Sequence, residues 1–190
     1  MERLKTALEF GGILSKDSID YIVNHFEIIE LKTNEYFFQT GKIANKIGFV
    51  SDGILRSYVL DKGGEEVTKY FVRKNQFLMD VESYYNMTPC ESSMQAVIAS
   101  KLYFINRDQW NKLSEEVPKL YILTKNLTEA GLLNKIKDND FLNFGTAADK
   151  YEEFIKRYPD LALQVPQQYI ASYLKITPQS LSRIRKKLTD

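Results

Sequence analysis

The sequence predicts an α+β chain in three parts: an antiparallel β-barrel or sandwich, a long helix, and a terminal helix-turn-helix. Three observations carry this reading. Between residues 28 and 106 the apolar residues alternate with a period of two, and Gly-containing turns separate the runs. From 108 to 142 they recur at steps of three and four. Residues 165–188, VPQQYIASYLKITPQSLSRIRKKL, then read as two short helices joined by a tight turn.

In chain order, Leu4, Ala7 and Leu8, then Ile19, Ile22, Val23 and Phe26, repeat helically. Gly11-Gly12 breaks that run and residues 15–17 supply a fresh cap, so two short helices are expected. Strands are expected at 28–31, 35–39, 47–51, 53–60, 66–72, 93–99 and 101–105, with turns at 40–42, 51–53 and 61–64. Their aromatic residues, Phe37, Phe49, Tyr58 and Tyr70 among them, read as core because strands favour aromatic side chains for packing alone.

The 108–142 stretch reads as one long helix. Its apolar seam, with Leu120, Leu123, Leu127 and the small Gly131, suits a homodimer interface; the alternative is a helix lying along its own barrel. Residues 143–147 form a hinge, and an amphipathic helix at 148–158 ends at Pro159. The expected domains are therefore 1–107, 108–143 and 144–190.

The final hairpin carries the chemistry. Its first helix, 167–174, turns Ile170, Ala171 and Leu174 inward, with small Ala171 where the two backbones approach. Thr177 is an N-cap with Pro178 at the first helical position. Leu181, Ile184 and Leu188 form the inward side of the second helix, and Ile176 plugs the angle. Its outward side is Gln179, Ser180, Ser182, Arg183, Lys186 and Lys187, residue types that hydrogen-bond base edges and phosphates. Residues 165–190 hold five basic side chains against Asp190, a net +4 in a chain of net +1. Positive charge is thus gathered at the end a nucleic acid would need it. The alternative is a hairpin that packs without reading DNA.

Composition bounds the rest. At 44% hydrophobic and 13% aromatic, 190 residues bury a real core. No apolar run is long enough to span a bilayer, the N-terminus is too charged for a signal peptide, and a cytoplasmic location without membrane contact is expected. A single Cys90 excludes an intramolecular disulfide and a four-cysteine cluster; a single His25 excludes a His-rich metal site. There is no G-x-x-x-x-G-K-[ST] loop and no plausible base for a catalytic triad. No catalytic residue, metal or cofactor is expected, and an enzyme is the weakest class.

The order of helices, barrel, long helix and helix-turn-helix resembles the Crp/Fnr family of transcription regulators over nearly the whole chain. GKIANKIGFVSDGILRSYVLDKGGEEVTKYF carries the resemblance to a cyclic-nucleotide-binding-type barrel, with Gly41, Gly53 and Gly64 at turn positions; IASYLKITPQSLSRIRKKL carries it to the DNA-binding end. It implies a barrel of the double-stranded β-helix or jelly-roll type, a dimerising central helix and a winged-helix-like terminal domain. It also implies a homodimer on a two-fold symmetric operator, with Gln179, Ser182 and Arg183 on bases and Ser180, Lys186 and Lys187 on phosphates. RNA polymerase and an unidentified small-molecule effector are further candidate partners.

Two features depart from the family. Lys175 takes the turn position usually held by Gly, at a cost on the order of 1 kcal/mol. The hairpin before the helix-turn-helix is cut down to 161–165. The ligand segment FLMDVESYYNMTPCESSMQAV departs further. Asp80 or Glu82 stands for the acid that holds a ribose, but no arginine occurs between Arg73 and Arg107, and Ser92 and Ser93 stand where one is expected. A cyclic phosphate loses its bidentate partner, so cyclic AMP is not the expected effector. The candidate effector pocket is Asp80, Glu82, Tyr84, Ser92 and Ser93. The alternative function is a small-molecule-binding sensor barrel whose terminal hairpin is only structural.

Overall fold

A computed structural model describes residues 1–189; Asp190, counted in the charge above, lies outside the described residues. Helices α1 (Glu2–Leu8) and α2 (Lys16–Val23) open the chain, separated by a 3-10 turn at Phe10–Gly12. The Ser15 hydroxyl accepts the Ser18 amide at 3.2 Å and so starts α2 where the fresh cap was expected.

Eight strands follow: β1 (Glu27–Leu31), β2 (Tyr36–Phe38), β3 (Lys46–Asp52), β4 (Ile54–Leu60), β5 (Glu66–Arg73), β6 (Phe77–Leu78), β7 (Ser93–Ala96) and β8 (Ser100–Asn106). They form two four-stranded antiparallel sheets, ordered β1-β8-β3-β6 and β2-β7-β4-β5. The barrel is thus two facing sheets, not a closed cylinder, and Leu31, Val50, Leu55, Val72, Leu78, Met94 and Leu102 fill the space between them. Gly53 makes the β3–β4 corner at φ +105°; a Cβ there would stand 2.6 Å from the Ser100 Cα. The two-residue β6 and the helix α3 (Val81–Asn86) were not foreseen, because each is too short to show a period.

The helix expected over 108–142 is two helices, α4 (Arg107–Glu116) and α5 (Leu120–Asn143). Pro118 is the cause. It disfavours helical backbone at Val117, which sits at φ −103° and ψ 110°, and Lys119 then turns through the left-handed region at φ 67°. The break redirects the seam. Leu120 and Leu123 are fully buried in the chain's own core with Leu8, Ile22, Trp110 and Leu113, so they are not available to a partner; Leu127 packs at that core's edge. Only Gly131 of the four expected dimer positions lies in open space. The exposed apolar residues of α5 are Tyr121, Leu132, Leu133 and Ile136.

Four helices complete the chain: α6 (Ala147–Arg157), α7 (Pro159–Gln164), α8 (Gln167–Leu174) and α9 (Pro178–Thr189). A capping box starts α6, in which Thr146 Oγ1 accepts the Asp149 amide and Asp149 accepts the Thr146 amide at 2.7 Å. The truncated hairpin expected at 161–165 is α7 instead, with Pro159 at its first position, and no β-strand lies next to α8 and α9 in the sequence among the described residues. Phe154, Leu161, Ile170, Leu174 and Leu181 form the core of this part, joined by Ile54 of β4 and by Val97, just past the end of β7. The terminal helices are therefore docked on the second sheet.

Candidate functional site

The two helices of the expected helix-turn-helix are α8 and α9. Ala171 is fully buried where they cross, and Ile176 packs half-buried at the corner. Lys175 caps α8 in the left-handed region, φ 57° and ψ 43°, the strain its position required. The turn is closed by the Ile176 amide donating to the Ala171 carbonyl at 3.0 Å, and Lys175 Nζ donates to Asn143 Oδ1 at 2.8 Å. Thr177 Oγ1 accepts the Ser180 amide at 3.1 Å, capping α9 before Pro178 as expected.

On the inward side of α9, Leu181 is fully buried and Ile184 half-buried. Leu188, expected to join them, is 48% exposed, because the helix runs past its support in its last turn. On the outward side Gln179, Ser182, Arg183, Lys186 and Lys187 are all exposed along one helix. Ser180 differs from that set. It is half-buried, and Thr177 Oγ1 donates to its hydroxyl at 2.9 Å, so its side chain belongs to the cap.

The five candidate effector residues do not form one cluster. Asp80 and Ser92 meet: Asp80 Oδ1 accepts the Ser83 amide at 3.0 Å, capping α3, and Oδ2 accepts from Ser92 Oγ at 3.2 Å. Ser93 is spent elsewhere, accepting the Thr40 amide at 3.0 Å. Glu82 is exposed on α3. Tyr84 belongs to the core under the N-terminal helices and lines an open groove of about 400 Å³ with Tyr85, Trp110 and Tyr121. Its hydroxyl is buried without a partner, and burial pushes the phenol up to about 12, against a smaller pull from Arg107. Near Asp80, Lys135 of α5 sits 4.1 Å from the Tyr70 ring centroid; burial and the like charge of Lys69 lower its pKa.

Residues 28–117 match the family model of the cyclic nucleotide-binding domain. The whole chain has the fold of the Crp/Fnr regulators. It is similar to FixK2 of Bradyrhizobium japonicum, at 17% identity and a TM-score of 0.75 over 86% of this chain and 84% of that one. It is similar to CLP of Xanthomonas campestris, a c-di-GMP-responsive global regulator, at 16% identity and 0.71 over 92% of each chain. For the Thermus thermophilus catabolite activator protein the values are 18% and 0.59, over 96% and 86%. A search of curated proteins finds no match.

Within the matched span, the guanidiniums of the strand residues Arg56 and Arg73 face away from the space between the sheets. Arg73 pairs with Asp160 of α7 at 2.7 Å. Arg56 is 1% exposed and lies between the rings of Tyr58 and Tyr169 of α8. Sequence reasoning missed Arg56, since a charged residue in an alternating strand reads as a solvated one. It also missed Asp138 of α5, whose carboxylate accepts from Tyr158 at 2.5 Å and from Tyr173 at 3.2 Å and so ties α5 to the terminal domain. Burial, and then Asp138, raise the pKa of Tyr158. No helix of the described residues is long and apolar enough to cross a membrane.

Proposed function

We propose that the chain is a sequence-specific DNA-binding transcription regulator that reads a palindromic operator as a homodimer. One observation carries this reading: α9 is held by a fully buried Leu181 while Gln179, Ser182 and Arg183 stand exposed together on its opposite side. Polar and cationic side chains at the start of a helix anchored from behind suit the major groove. Gln179, Ser182 and Arg183 read bases in this scheme, and Lys186 and Lys187 contact phosphates; Ser180 approaches a phosphate through the cap it completes. The dimer face is the outer half of α5, where Leu132, Leu133 and Ile136 are each more than half exposed and Gly131 faces open space.

The effector is a small molecule other than cyclic AMP, since the arginines of the sensor sheet are spent on contacts with the terminal domain, and Asp80 and Ser92 are its candidate contacts. The regulator works in the cytoplasm, with RNA polymerase as its further partner, and carries out no catalysis of its own. The competing reading, a sensor domain with a structural hairpin, draws on the contact of α8 with β5 but leaves the outer side of α9 without a purpose.

Titration of the purified protein with random-sequence duplex over a range of salt separates the two. The regulator binds with an affinity that falls steeply as salt rises, by about 0.9 in log K per log salt for each phosphate neutralised. Negligible, salt-insensitive affinity would favour the structural hairpin.

A further inference from the structure

The seam between the second sheet and α8 contains a buried charge. Arg56 projects from β4 on the side opposite Leu55, which fills the space between the sheets. Its Nε and Nη2 donate to Gln95 Oε1 of β7 at 3.1 and 2.7 Å, and Nη2 also pairs with Glu66 of β5. The guanidinium carbon lies 3.6 Å from the Tyr169 ring centroid and 4.4 Å from that of Tyr58. One arginine thus fastens three strands of the sensor sheet to the first helix of the helix-turn-helix.

The contact is specific. Ser172, one turn along α8 from Tyr169, accepts the Thr68 amide at 2.9 Å and donates to the Glu66 carbonyl at 3.2 Å. It is also incomplete. Arg56 Nη1 and the Thr68 hydroxyl are buried on this seam with no hydrogen-bond partner among the described residues. A desolvated guanidinium N–H without an acceptor makes this arrangement of the domains easier to exchange for another.

The network has a second end. Gln95 stands three residues beyond Ser92, which donates to Asp80 at the start of the 80–92 segment. Ser92 leads directly into β7, which carries Gln95, the acceptor of the Arg56 fork. We propose that Arg56 is a positioning residue that relays the arrangement of residues 80–92 to α8, and through α8 to α9. The relay rests on the reading of α9 as the DNA-contacting helix for its purpose, though not for its test.

The test is hydrogen exchange on the full-length protein without DNA, comparing Asp80→Ala, Arg56→Lys and the double variant. Arg56→Lys keeps the charge and loses the fork; α8 amides should then exchange about ten- to a hundredfold faster, the effect of one charged hydrogen bond. Asp80→Ala should quicken α8 exchange several-fold when Arg56 is intact and add nothing on top of Arg56→Lys, a non-additivity that simple loss of packing does not give. Ser92→Ala replaces Asp80→Ala if the latter does not fold. Equal acceleration by the loop variant with and without Arg56→Lys, or none at α8 in either case, overturns the relay. Failure to bind DNA would appear only in the salt titration, so the two readings fail separately.

Discussion

Truncating Leu181 should release α9 while leaving the two β-sheets intact. Of the residues expected to anchor this helix, Leu181 is fully buried, Ile184 half-buried and Leu188 48% exposed. Burying a leucine is worth roughly 1.5–3 kcal/mol, and removing its outer atoms from a packed site costs about 2–5 kcal/mol once the cavity is included. A loss near 3 kcal/mol, about a hundredfold in the docking equilibrium at roughly 1.4 kcal/mol per tenfold, takes most of what holds α9 down. Leu181→Ala should therefore raise α9 amide exchange about a hundredfold and abolish base discrimination, with amides of β3 and β8 unchanged. Leu188→Ala, the control, should cost at most about 1 kcal/mol. If Leu188→Ala loosens α9 as much as Leu181→Ala does, the assignment of the helix's support is wrong.

Other consequences follow from the same geometry. Arg183→Ala should cost roughly 1–3 kcal/mol against the preferred duplex and relax choice at one base pair, whereas Lys187→Ala should weaken all duplexes alike and reduce the salt slope by about one; anisotropy titrations on matched and single-mismatch duplexes distinguish them. Leu133→Asp puts a charge on the uncovered side of α5 and should shift the protein to monomer in sedimentation velocity, with binding to a palindrome weakened at least about tenfold. Tyr84→Phe removes a buried hydroxyl without a partner, so stability at neutral pH should hold or rise by up to about 1 kcal/mol. The folded phenol lies at about 12, above its ordinary 10, so its protonated form contributes fully below pH 10 and the contribution is lost as pH rises from 10 to 12. The Tyr84→Phe protein should lack that part of the alkaline loss in a denaturation series against pH.

Legibility followed the physical range of each signal. The strands and the hairpin were readable because period, turn glycines and the Thr177-Pro178 cap are local, and the left-handed Lys175 followed from the turn it had to make. The long helix was misread even though Pro118 stood in the sequence, since the apolar steps of three and four run across it. The fate of Leu120 and Leu123 was not local at all. An apolar seam looks the same whether it meets a second copy or, as here, the chain's own α1 and α2. The effector residues scattered for a similar reason, because Ser92 and Ser93 are neighbours in extended chain, where successive side chains point to opposite sides. Arg56 carried no mark of burial, and part of what covers it, Tyr169, comes from the distant α8.

The central claim is that α9 reads a two-fold symmetric DNA sequence. In-vitro selection of random duplex on the purified protein, with no small molecule added, tests it most directly. The account predicts enrichment of a palindrome whose half-sites lie about one helical turn apart, and loss of that enrichment with Arg183→Ala. Recovery of unrelated sequences, or of the same palindrome with Arg183→Ala, would contradict it.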